Sequence, residues 1–259
     1  MNKIFKMDIH RQLRSPVLYV SIIFITIMAV AVVMSGMSTS IDGLLGVVGS
    51  SGGMGADEGA DFMASAMGVG VIFILISIVL TLFVCKDYSG GFAKNIFTTH
   101  SNPWNYIGGK MMSMAVLSGF LLVLYTIESI VSLVIFGGSL ALTGGILGLI
   151  VFLIEKWLLS LALSAVILLV VLFTRNIALG VLAGFLIATG GLSMGAALFG
   201  QMLGIGWLST IFSVTISGTS QLCTLSFDPL TFIRVLITSV AWIGIGCFLS
   251  RRVLLKKDI

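Results

Sequence analysis

The sequence predicts an all-helical polytopic membrane protein with six transmembrane helices, and three observations carry that prediction. Of its 259 residues 58% are hydrophobic and only 9% charged, against about 25% charged in an ordinary soluble domain. The apolar residues gather in runs of about 20 or more, enough at 1.5 Å per residue to cross a hydrocarbon core of roughly 30 Å. The cations gather between those runs. Twelve of the fourteen Lys and Arg fall in segments that alternate sides consistently, and the intervening loops hold none. This division puts both termini on the cytoplasmic side and explains the net charge of +4 without a nucleic acid partner.

From Asn2 to Arg14, Phe5, Ile9 and Leu13 recur every fourth residue, as do Lys6, His10 and Arg14. That pattern fits a helix lying in the membrane interface, or more simply a basic topology anchor. Ser15 and Pro16 break it, and the first span follows at residues 17–37. The Gly- and Ser-rich segment 38–61 holds Asp42, Asp57, Glu58 and Asp61 but no Lys or Arg. It reads as an outer loop whose carboxylates are solvated rather than gathered on a cation. The second span covers 62–84, the third 111–136, the fourth 148–173, the fifth 177–199 and the sixth 230–249. Arg175 marks a short inner turn between the fourth and fifth. Residues 200–228 are apolar but broken too often for a crossing, which predicts re-entrant or interfacial outer helices. The whole chain, 1–259, reads as a single membrane domain.

The long inner connection from Lys86 to Lys110 organises the rest. Phe92, Ile96 and Phe97 recur at helical spacing with Lys94 and Asn95 off that stripe, so a short amphipathic helix faces the cytoplasm. Gly90 and Gly91 loosen the chain before it, Pro103 stops it, and Trp104 and Tyr106 suit the headgroup layer. Composition alone leaves two readings open: a passive interfacial helix, or a lever gripped by a soluble partner.

The order of features here is an acidic residue ending the second span (Asp87), a glycine (Gly91), a short helix (Phe92 to Thr98), Pro103, then Gly109 and Lys110 opening the third span. It resembles the type-2 ABC exporter permease family, and the run DYSGGFAKN is similar to that of subfamilies that move or confer immunity to antimicrobial peptides. The resemblance implies a bacterial cell-membrane permease that works as a dimer with itself or a homologous permease. It further implies two cytoplasmic ABC ATPase subunits that carry ATP and Mg and engage a coupling helix. Asp87, Gly91, Phe92, Lys94, Asn95, Ile96, Phe97 and Pro103 are then the ATPase-coupling positions. Trp104 and Asn105 stand where family members often carry Arg or Lys.

Other patterns carry less chemistry. The three cysteines have no metal-ligand spacing. A G-x-S-x-G at Gly191 to Gly195 sits in a span, far from either histidine, and predicts packing rather than a nucleophile. No phosphate-binding G-x-x-x-x-G-K-[ST] occurs, so no cofactor is expected in this chain and it is not expected to be an enzyme. Gly180, Gly184 and Ala188 form a small-xxx-small stripe that serves either packing within the chain or a dimer seam. Glu128, Glu155, Lys156 and Arg234 lie inside spans, where each charge costs about 2.5 to 3.5 kcal/mol unless paired or wet. They suggest a structural ion pair or an outer gate, with Arg234 pairing with Glu155 or Glu128 and Lys156 snorkelling to the surface. An ion-coupled carrier or channel, or a non-transporting scaffold or sensor, is the rival reading.

Overall fold

The computed structural model describes residues 2–37, 70–89, 103–136, 145–191, 194, 195, 198, 202 and 214–256. Among these residues there is no strand. The helices are α1 (Asn2–Leu13), α2 (Pro16–Met37), α3 (Val71–Ser89), α4 (Pro103–Ile135), α5 (Gly145–Thr174), α6 (Ile177–Ala188), α7 (Ile216–Leu222) and α8 (Pro229–Lys256). By length and composition α4, α5 and α8 can each cross a membrane, and α1 with α2 makes a fourth candidate if the bent pair counts as one span. The predicted coupling helix, the 38–61 loop and the start of the second predicted span lie outside the described residues.

Prolines and a glycine set the helix limits. Pro16 opens α2 after a 61° bend from α1. Pro103, expected to stop the preceding helix, starts α4, because the first turn of a helix needs no N–H from that residue and the ring already holds the right φ; the helix it was expected to stop lies outside the described residues. As a result α4 begins eight residues before the predicted third span and runs through Gly108 and Gly109. Asp228 caps α8, accepting from the Thr231 hydroxyl and from the backbone N–H of Leu230 and Thr231. The Thr231 hydroxyl chiefly holds the Asp228 carboxyl below its usual range. Asn176 caps α6 through a 2.9 Å bond from the Ala178 N–H.

The fifth predicted span is not one helix. After Ala188 the chain turns through Thr189 and Gly190, with Gly190 at φ +73°, a left-handed stop that glycine takes without strain. Twelve helical residues reach about 18 Å, short of the roughly 30 Å core. Helix resumes in the described residues Gly191, Met194, Gly195, Leu198 and Met202.

At the centre stands α5, packed on α3, α4, α6, α7 and α8. Gly246 of α8 brings that helix so close that a Cβ there would lie 2.9 Å from the Ala165 backbone. Gly119 of α4 leaves space for the Trp157 indole, whose N–H donates to Ala115 O at 2.8 Å. Polar groups point inward, as with Ser113, Ser118, Thr126, Ser129, Ser160 and Ser164, all buried. Val116, Phe120, Val123, Ile127, Val131 and Val134 form the exposed face of α4. This inside-out arrangement, apolar toward the surroundings at helical spacing, is what a lipid-facing helix requires.

Basic residues collect at one end of the bundle. The Arg251 guanidinium carbon lies 5.6 Å from the Trp104 ring centre and that of Arg175 lies 5.1 Å from Tyr88, joining the end of α8 to the start of α4 and the α5–α6 turn to the end of α3. Arg175 takes φ +52°, a left-handed conformation that costs a non-glycine residue about 1–2 kcal/mol. The ring contact helps to hold it there.

Candidate functional site

Four charges from three helices meet at the basic end, and three of them are fully enclosed. Lys110 of α4 is buried to 0% exposure, as are Asp8 of α1 and Asp87 of α3. The Lys110 ammonium lies 2.5 Å from Asp87 Oδ2 and 3.1 Å from Asp8 Oδ2, with a further bond of 3.2 Å to Asp8 Oδ1. Arg11 of α1 closes the circuit, its Nη1 2.8 Å from Asp87 Oδ1 and 4.0 Å from Asp8. Two acids and two cations balance.

Aromatic and polar groups line the cluster. Lys110 Nζ sits 3.8 Å from the centre of the Phe83 ring, and the Arg11 guanidinium carbon lies 5.3 Å from the same ring, so one π face serves both cations. The buried Tyr106 hydroxyl donates to Asp87 Oδ2 at 3.5 Å. One turn beyond Asp8, Gln12 donates to Ser113 of α4 at 3.4 Å. Removing one partner from such a buried set strands a charge, which typically costs 3–5 kcal/mol.

The position of the network matters more than its strength. Asp87 is two residues from the end of α3, and Lys110 is seven residues into α4. Their bond ties together the two roots of the connection 90–102, and Asp8 and Arg11 tie both roots to α1. The network thus joins three helices at the two ends of that connection.

The structure separates the sequence-predicted site residues. Asp87 is turned into this network rather than outward. Pro103 begins α4, while Gly91, Phe92, Lys94, Asn95, Ile96 and Phe97 lie outside the described residues. Gly180 and Gly184 face α3 within the same chain: a Cβ at Gly180 would meet Thr81 Cγ2 at 2.6 Å, and one at Gly184 would collide with Ser77. Ala188, last on the stripe, packs its backbone against Gly70, whose φ of +81° and missing side chain permit the approach.

The intramembrane charges do not gather as expected. Glu128 of α4 accepts from the Thr26 hydroxyl of α2 at 2.9 Å. Glu155 is buried beside Cys223 and its neighbour Lys156. Lys156, expected to snorkel, is instead 1% exposed and donates to Ser220 O at 2.7 Å and Ser220 Oγ at 2.8 Å. The backbone carbonyl near the end of α7 gives the ammonium a partner without a route to the surface. Among the described residues neither glutamate forms an ion pair with Arg234, which is half-buried on α8. Thr26 and the α7 segment supply uncharged partners where a charged one was expected.

Sequence reasoning missed Asp8, and placed Arg11 only among the orienting cations. Asp8, Arg11 and Gln12 do share one helical face, spaced i, i+3 and i+4, and a lone acid in a basic helix was the available signal. The apolar stripe expected to lie in the interface is not the face packed inward. Leu13 is 56% exposed, and the face packed inward is that of Asp8 and Gln12.

No family model matches the chain, and no curated protein matches it in sequence.

Proposed function

We propose that this chain is the membrane-spanning permease subunit of an ATP-driven exporter of the type-2 ABC kind. It crosses a bacterial cytoplasmic membrane six times with both termini inside, and pairs with a second copy or a homologous permease. Two cytoplasmic ATPase subunits bind ATP and Mg and hold the 90–102 connection. An amphipathic or antimicrobial peptide is the cargo class, exported or resisted, that the resemblance of DYSGGFAKN suggests.

The observation that best supports this reading is the network of Asp8, Arg11, Asp87 and Lys110. A coupling helix works as a lever only if both of its roots are fixed to the elements it must move, and here both roots are tied to each other and to α1. A passive interfacial helix needs no such bracing. The carrier reading draws instead on the intramembrane charges, but Lys156 is accounted for by its two bonds to Ser220.

Tagged chain extracted from its native membranes in mild detergent should bring down a nucleotide-hydrolysing subunit. Replacing Phe92 and Phe97 by Asp should release that subunit while leaving the permease folded, since apolar anchors dominate small helix-in-groove contacts. Purified chain that holds no ATPase, yet moves ions when reconstituted alone, would replace this reading with the carrier.

A further inference from the structure

The outer face of α1 carries basic side chains that have no partner among the described residues. At about 100° per residue, Lys6, His10 and Arg14 lie opposite the buried Asp8 and Gln12, and all three are exposed. Their side chains form no hydrogen bond or ion pair among the described residues. Down the flank between these two faces run Phe5, Ile9 and Leu13. None of the three joins the hydrophobic core, whereas Met7 on the other flank packs against it, and Leu13 is exposed. At its end α1 meets α2 through the 61° bend, and from its first turns α2 presents Tyr19, Val20, Ile23, Phe24 and Ile27 to its surroundings. An apolar flank beside a basic row thus stands where an apolar, outward-facing helix reaches the basic end of the bundle.

We propose that α1 docks on acidic phospholipids of the leaflet at the basic end, with Phe5, Ile9 and Leu13 seated among the upper acyl chains and Lys6, His10 and Arg14 on the headgroup phosphates. The two stripes together select the occupant. An exposed apolar stripe gains by leaving water for hydrocarbon, and interfacial helices seat theirs about 5 to 10 Å deep. That depth brings the adjoining basic row level with the phosphates, where each Lys or Arg favours an acidic surface about fivefold. A soluble acidic partner would meet the cations but leave the apolar flank in water. Asp8 and Arg11 stand on the same turns of α1 and reach Lys110 and Asp87, so lipid that holds α1 in place also holds the N-terminal arm of the buried network. The proposal stands whether or not the chain is an exporter subunit.

The test uses the full chain reconstituted in phosphatidylcholine vesicles that contain a minor share of phosphatidylglycerol with the same acyl chains. Leu13→Trp puts an indole on the apolar flank, and its fluorescence is read as the difference from the parent chain, which carries four Trp. Lipids brominated high on the acyl chain should quench it, and phosphatidylglycerol should do so at a several-fold lower mole fraction than phosphatidylcholine. In that background Lys6→Gln and Arg14→Gln should each reduce the preference for the acidic lipid, and together should bring the two lipids close to parity. Arg252→Gln with Lys256→Gln, which removes two exposed cations of α8, should leave the preference at this position intact. Salt at about 1 M, which screens charge beyond about 3 Å, should act like the loss of Lys6 and Arg14. Should Leu13→Trp misfold, the parent chain decides: phosphatidylglycerol should raise its unfolding temperature over phosphatidylcholine alone, and Lys6→Gln with Arg14→Gln should abolish that rise while the α8 pair does not. Equal quenching by the two lipids, or a preference that survives the loss of both cations, would overturn the site. So would an indole at position 13 that aqueous iodide reaches and neither brominated lipid does, which would give the face to a soluble partner.

Discussion

Lys110 and Asp87 lie 2.5 Å apart, although 22 residues separate them in the chain, the connection 90–102 among them. The contact holds the end of α3 to the first turns of α4. Because the other oxygen of Asp87 takes Arg11, the same carboxylate also anchors the N-terminal helix. Asp87 and Lys110 thus each join all three helices of the network.

Asp87→Asn should accordingly destabilise the protein by about 3–5 kcal/mol, the usual cost of leaving buried charge uncompensated. Lys110→Met should do the same from the opposite sign. Because the two residues share a bond, the double variant should be less damaged than the sum of the singles. Thermal unfolding of the four proteins in detergent checks this. Additive losses would show that the two charges act independently.

At the far end, Lys156 holds α7 to α5 by its bonds to Ser220, and Gly148 lets the Leu225 carbonyl lie directly on the α5 backbone. Cys223, between those two anchors, is buried. A membrane-impermeant thiol reagent should therefore label it poorly in the intact protein. Lys156→Met removes one anchor and should raise the labelling rate of Cys223 several-fold, while Cys85, buried near the basic end, should remain unlabelled from outside. An unchanged rate for Cys223 would mean that the Gly148 contact alone keeps α7 docked.

Much of the fold was legible because membrane helices write themselves in composition. Runs of apolar residues gave the placement of α2, α5 and α8, and the cations gave the end at which Arg11, Lys86, Lys110, Arg175 and Arg251 now gather. Limits that depend on one backbone angle were less legible: Gly190 ends α6 inside the predicted fifth span, and α4 already starts at Pro103, eight residues before the predicted third span. Pairings were hardest to read. Polar groups in a bundle satisfy one another across helices distant in sequence, so neither Asp8 with Lys110 nor Lys156 with Ser220 leaves a local pattern. The expected pairing of Arg234 with a glutamate followed from depth alone, which ignores how each helix is rotated.

The contact between Gly184 and Ser77 offers the sharpest test of how α6 is used. A side chain at 184 would collide with the Ser77 Cβ, and a side chain at 180 would press on Thr81 and on Val171 of α5. The stripe is therefore filled by this chain's own α3, and it is not open to a second copy without separating α6 from α3. Gly184→Ala should destabilise the protein by about 1–3 kcal/mol through overpacking, and this loss should not depend on protein concentration, since no subunit contact is involved. Adding Ser77→Gly removes the colliding atom and should restore part of the stability despite the ordinary penalty of about 1 kcal/mol for a glycine within a helix. Thermal unfolding at several protein concentrations, with the oligomeric state followed by light scattering, separates the outcomes. Dissociation of a dimer by Gly184→Ala, with the monomer as stable as before, would assign the stripe to the subunit seam instead.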